Sequence, residues 1–149
     1  MAIEDHFKQY DSLQFKRLLL ISIPGIGNKT ASRILAELGD TTTFSNARQL
    51  AAYCGLTPRL RQSGTSVHKR PCLSKVGNAR LRKALFMPAM CAARYNPVLE
   101  AFYKRLLKKG KSKMSALGAV MRKLLHIIYG VLKHEKSFDP GYSSLKLTP

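Results

Sequence analysis

Two short stretches carry residue types that could do chemistry on phosphate. The first is residues 22–29, SIPGIGNK, in which Gly25 and Gly27 bracket Ile26 and are followed by Lys29. Glycines at this spacing let a chain turn sharply. A turn that opens onto a helix presents backbone N–H groups where phosphate oxygens bind well. Gly25, Ile26, Gly27 and Lys29 are therefore candidate nucleic-acid contacts. The second stretch, residues 57–77, surrounds Ser63-Gly64 with Arg59, Arg61, His68, Lys69, Arg70 and Lys75, and Arg80 follows shortly after. Guanidinium groups fit phosphate bidentately. A serine hydroxyl becomes a nucleophile only when a base removes its proton and cations stabilise the charge that develops. The residues alone leave two readings of Ser63-Gly64: a simple turn, or a hydroxyl held beside a clamped phosphate. Ser66 and Ser74 are alternative hydroxyls, and His68 is either a base or a surface imidazole.

The balance of charge points the same way. The chain has 149 residues, 26 Lys+Arg against 8 Asp+Glu, and a formal net charge of +18. An excess of this size, spread along most of the chain, suits a polyanionic partner, above all the nucleic-acid backbone. An anionic membrane surface or an acidic protein ranks behind. A hydrophobic fraction of 45% is that of a folded domain, not a disordered basic tail. No apolar run approaches the roughly 20 residues that span a bilayer, and no membrane partner is expected. Cys54, Cys72 and Cys91 form no C-x-x-C pair, and the histidines lack ligand spacing. No metal site and no cofactor are expected in this chain, and a reduced cytoplasmic, nucleoid-associated location fits. Tyr53 and Tyr129 fall on apolar helical faces, which argues for packing rather than a tyrosine nucleophile.

The elements that must position these residues read as helices. Residues 3–20 carry Phe7, Leu13, Phe15 and Leu18-Leu19-Leu20, an apolar face feeding the glycine turn. A second helix covers residues 29–38, with Ile34, Leu35 and Leu38 inward and Gly39 as its stop. Together, residues 18–40 form a helix-hairpin-helix motif. Ser45 or Asn46 caps a short helix ending near Gly55. Pro58, Gly64, Pro71 and Gly77 break the periodicity of residues 57–77, which reads as an irregular basic loop with room for a short β-hairpin. Helices return over residues 78–134. One carries Pro88, another starts at Asn96-Pro97, and the last has an apolar stripe of Leu117, Met121, Leu124, Ile128 and Val131. The fold class is all-α, one domain over residues 1–140, with a flexible tail at residues 141–149.

The pieces occur in a specific order: SIPGIG (residues 22–27), ARQLAAYCGLTPR (47–59), QSG (62–64) and LSKVGNARLRKAL (73–85). NP (96–97), FY (102–103), RL (105–106), GK (110–111), VMRKLL (120–125) and DP (139–140) follow. This set resembles the C-terminal transposase domain of the IS110/IS116/IS902 insertion-sequence family over most of the chain, residues 18–140. The resemblance implies DNA transposition or recombination in two parts. An N-terminal RuvC-like domain holds divalent metal, Mg, on acidic residues, and a serine of the C-terminal domain attacks a DNA phosphate. By resemblance that serine is Ser63, with Ser66 as backup. The resemblance further implies a structured guide RNA encoded by the element, and oligomeric assembly. The chain departs from the pattern in lacking a RuvC-like half, and in reading Gly64-Thr65-Ser66 where relatives often pair glycines. On this reading it is a domain, truncated frame or degenerate copy, inactive alone. The alternative is a non-catalytic helix-hairpin-helix module that only grips nucleic-acid backbone.

Overall fold

The 22-residue helix Lys113–His134 organises the molecule. Its apolar residues fall on nearly every side, so other helices must cover it. In the computed structural model they do. The structure describes residues 2–39, 41–59, 62–63, 67–68, 72–73 and 78–141, with side chains for 11–39, 41–57 and 78–141. In chain order the elements are α1 (Ala2–Ile21), α2 (Asn28–Leu38), a 3-10 turn (Thr41–Thr43) and α3 (Ala47–Tyr53). Four two-residue strands follow: β1 (Pro58–Arg59), β2 (Gln62–Ser63), β3 (Val67–His68) and β4 (Cys72–Leu73). The chain continues through α4 (Ala79–Tyr95), α5 (Pro97–Lys108) and α6 (Lys113–His134). The fold class is all-α, six α-helices among the described residues.

Helices α1, α3, α4 and α5 pack on α6, and α2 closes the group between α1 and α4. The core includes Leu20, Ile23, Ile34, Leu50, Leu81, Leu85, Leu99, Leu124 and Ile128, all fully buried. By length and composition α6 could cross a bilayer, yet 67% of its apolar window is buried by the neighbouring helices. It is the core helix of this domain. Tyr129 is buried among them, and its hydroxyl donates to the Phe44 carbonyl at 3.0 Å.

Side-chain caps set the helix starts. Asn46 accepts from Gln49 N–H, Asn78 from Leu81 N–H, Asn96 from Val98 and Leu99 N–H, and Ser112 from Ser115 N–H. Pro97 sits at the first position of α5, where its missing N–H costs nothing. Pro88 lies inside α4, which runs on through it as one helix.

The structure corrects the inward face expected of α1. Leu19 and Leu20 enter the core, but Leu13, Phe15 and Leu18 are exposed, Leu18 at 61%. Three consecutive leucines point in directions about 100° apart around a helix, so one face cannot bury all of them. Tyr53 is also exposed at 44% instead of packed inside, tilted against the Phe44 ring at 5.3 Å. The flexible tail expected at residues 141–149 falls, from residue 142 onward, outside the described residues.

Candidate nucleic-acid interface

Between α1 and α2 the chain reverses in a few residues. Ile23 N–H donates to the Leu20 carbonyl at 3.1 Å, and Ile26 N–H donates to the Ile23 carbonyl at 3.1 Å. Gly25 takes a positive φ of 111°, a region that L side chains rarely adopt. Its missing Cβ has a second cause. A Cβ built there would lie 2.8 Å from the Cβ of Ala92 on α4. The sequence reading gave Gly25 a role in close approach to a ligand. The structure corrects that reason: the space a Gly25 side chain would need is taken by α4, inside the molecule.

The reversal is held from both flanks. Asn96 is fully buried at the α4–α5 corner, and its Nδ2 donates to the Pro24 carbonyl at 3.3 Å. Its Oδ1 meanwhile accepts from the first amides of α5. On the other side, Ser22 Oγ donates to the Leu19 carbonyl and accepts from Phe138 N–H at 2.8 Å. Neither anchor was evident from the sequence, because the partners are 72 and 116 residues away. Asn96 reads locally as nothing more than a helix cap.

The second half of the reversal faces outward. Ile26 is buried, so only its backbone is available to a ligand. Gly27, Asn28 and Lys29 are exposed. Gly27 is the N-cap of α2 in extended conformation, with no side-chain cap, and nothing lies within 4 Å of a Cβ built on it. The first amides of an α-helix have no partner within the helix, and here no side chain caps them. The Asn28 side chain turns instead to Arg17, whose Nη1 donates to Asn28 Oδ1 at 3.5 Å. Arg17 thus brings a second cation beside Lys29. The sequence reading missed it, since Arg17 lies eight residues before Gly25 on another helix.

Residues 57–77 leave and return at one point. Asn78 N–H donates to the Tyr53 carbonyl at 2.7 Å, Asn78 Nδ2 to the Tyr53 hydroxyl at 3.3 Å, and Arg82 Nη1 to the Cys54 carbonyl at 3.3 Å. Beneath this clasp Cys54 is fully buried, and burial pushes its thiol up to about 12 against the opposing pull of Arg82. Above it two antiparallel ladders pair Pro58 with Leu73 and Arg59 with Cys72, then Gln62 with His68 and Ser63 with Val67. The ladders are nested in the sequence, and the described residues 58–59, 62–63, 67–68 and 72–73 are together called the ribbon. Ser63 is the last described residue before position 64 and pairs with Val67.

The candidates distribute as follows. Gly25, Ile26, Gly27 and Lys29 sit together at the reversal, and Arg80 is exposed in the first turn of α4. Arg59 and Ser63 lie on the ribbon by backbone placement. Arg61, Ser66, Lys69, Arg70 and Lys75 lie outside the described residues, as does the alternative Ser74. Among the described residues no group of three or more His, Cys, Asp or Glu side chains is arranged to hold a metal ion.

Residues 17–104 match the family described as transposase IS116/IS110/IS902. Over 129 residues the chain is 45% identical to a pilin gene-inverting protein of Moraxella lacunata, covering 85% of this chain and 40% of that protein. It is 34% identical over 115 residues to the 43.6 kDa protein of insertion element IS110 from Streptomyces coelicolor, covering 77% of this chain and 28% of that one. It is 32% identical over 125 residues to the transposase for insertion sequence element IS1111A of Coxiella burnetii, covering 80% and 34%. The chain therefore spans 40% or less of the length of these curated relatives.

Proposed function

This chain belongs to the IS116/IS110/IS902 transposase family, and from that premise we propose that it is the DNA-engaging, serine-bearing part of a DNA transposase or recombinase. The observation that carries the binding half is the open start of α2. Exposed amides without a capping side chain, with Lys29 and Arg17 beside them, suit a backbone phosphate. Such contacts position a protein on nucleic acid without reading base sequence.

The chemical half rests on Ser63 and the family. Its Oγ would form a bond to phosphorus as the bond from phosphorus to a sugar oxygen breaks. The serine proton passes to a base, and the departing sugar oxygen gains one. Arg59, Arg61, Lys69, Arg70 and Lys75 would neutralise the charge on the phosphate. No step of this scheme runs through a metal held by this chain. Divalent metal would come with a RuvC-like domain elsewhere in the assembly, and a guide RNA would supply sequence choice by base pairing. Strand inversion is a second outcome of the same chemistry, favoured by the 45% identity to a gene-inverting protein.

Binding of a labelled duplex at increasing salt tests the reading. Each neutralised phosphate releases counterions, so the affinity falls steeply with salt. Gly27→Val fills open space in a backbone conformation any residue adopts, so the variant folds. Its affinity is expected to fall about tenfold, equivalent to about 1.4 kcal/mol. A flat salt response, or unchanged affinity in Gly27→Val, contradicts the reading.

A further inference from the structure

Midway along α6 the chain gathers cations from three helices. Arg122 and Lys123 lie four and three residues before His126, so all three share one side of α6. Arg48 comes from α3 and Arg105 from α5, both packed on α6. Lys123 Nζ sits 4.9 Å from the centre of the Phe102 ring, and the Arg105 guanidinium carbon sits 5.5 Å from it. Two buried nitrogens here, Arg122 Nε and His126 Nε2, have no hydrogen-bond partner among the described residues. Folded proteins leave few buried polar atoms unpaired, and each one asks for an explanation.

The electrostatics sharpen the question. Burial holds the His126 pKa below its ordinary value, and Arg122, Lys123 and Arg48 push it the same way. Lys123 is lowered by burial, then by Arg105 and Arg122. Among the described residues, the charged groups that shift these two side chains, Arg48, Arg105, Arg122 and Lys123, are all positive. Like charges held together around unpaired donors make an environment that an anion would relieve.

We propose that Arg48, Arg122 and His126 form a second phosphate site, which holds a backbone phosphate of the same nucleic acid that the hairpin engages. This rests on the DNA-binding reading above. The guanidinium of Arg122 offers Nε–H and a terminal N–H as a fork to two phosphate oxygens. His126 Nε2 donates to the same group, and Arg48 closes it from the exposed side. The site lies eight to twelve residues before the end of α6, about 12–18 Å along its axis. The hairpin is tied to the chain just past that end, where Phe138 N–H donates to Ser22 Oγ. The chain's charge of +18 favours a strand of repeating phosphates over an acidic protein segment.

The test compares wild type, Arg48→Gln and Arg48→Gln/Arg122→Gln for binding a short labelled duplex of arbitrary sequence across salt. Arg48 is exposed, so Arg48→Gln keeps the fold even if the double variant does not, and thermal melts establish which variants are folded. Arg48→Gln is expected to weaken binding about threefold to tenfold, equally for all sequences, and to reduce the slope of log affinity against log salt by about 0.9. NMR signals of the His126 ring shift on adding duplex to the wild type. A steep wild-type slope that Arg48→Gln retains in full, or His126 signals that do not move, overturns this site alone. A wild type without salt dependence overturns the DNA reading itself. Binding of poly-glutamate that Arg48→Gln loses, while it keeps its duplex affinity, assigns the cluster to acidic protein and overturns the proposal.

Discussion

Gly25 and Gly27 look equivalent in sequence, and the structure places them in opposite surroundings, one against Ala92 and one facing open space. Gly25 makes room for Ala92, so Gly25→Val is expected to destabilise the fold by about 1–3 kcal/mol through overpacking, read as a lower urea midpoint. Gly27→Val meets no neighbouring atom, so its midpoint falls only by the N-cap preference for Gly over Val, under about 1 kcal/mol, and the folded variant reports on ligand approach. A Gly25→Val protein of wild-type stability would contradict the packing assigned here. His126 gives a pH signature. Its folded pKa lies below the ordinary 6.5, so the unfolded chain binds the proton more readily. The stability contributed by its neutral form is complete above about pH 6.5 and declines as pH falls through that value toward the lower folded pKa. Subtracting His126→Gln from wild type in urea titrations at about pH 8 and about pH 5 isolates this part; equal differences at both pH values would contradict it. Cys54, with its thiol raised to about 12 by burial, is expected to resist iodoacetamide at neutral pH while exposed Cys91 reacts. Peptide mapping that finds Cys54 alkylated in the native protein would show the clasp above it to be open.

At the scale of elements, α4 does two jobs. Its N-terminal end is tied to the end of α3 through Asn78 and Tyr53, and its C-terminal end holds the reversal through Ala92 and Asn96. Asn78→Ala removes the cap and the Nδ2 bond to the Tyr53 hydroxyl while the backbone N–H bond to the Tyr53 carbonyl stays, and is expected to cost about 1 kcal/mol, with the usual range for a lost cap near 0.5–2. Differential scanning calorimetry reads this, and no change in melting temperature would contradict it. The helices and their starts were largely legible in the sequence, because periodicity and caps are local signals. SIPGIG announced the reversal, and Asn96-Pro97 announced α5. The α6 stripe of Leu117, Met121, Leu124, Ile128 and Val131 announced the core. The ribbon's register was not legible, since it depends on which residue faces which across the ladders. Nor was the role of Asn96, whose partner carbonyl belongs to Pro24. The α6 cluster escaped for the same reason: Arg122, Lys123 and His126 interrupt an apolar run, and Arg48 and Arg105 arrive from helices remote in sequence.

At the scale of the molecule, the hairpin, the ribbon and the α6 cluster are all held by one helical core. Its relatives are more than twice as long, and the chemistry proposed for Ser63 is proposed for an assembly with a RuvC-like domain. The most direct measurement supplies this chain with the RuvC-like domain, divalent metal and guide RNA, and presents a DNA substrate nicked to trap an intermediate. Mass spectrometry then maps any covalent protein–DNA adduct. The account predicts an adduct on Ser63 that Ser63→Ala abolishes while duplex affinity stays within about twofold, a difference under about 0.5 kcal/mol. An adduct that persists in Ser63→Ala, or one mapped to another residue, would contradict it.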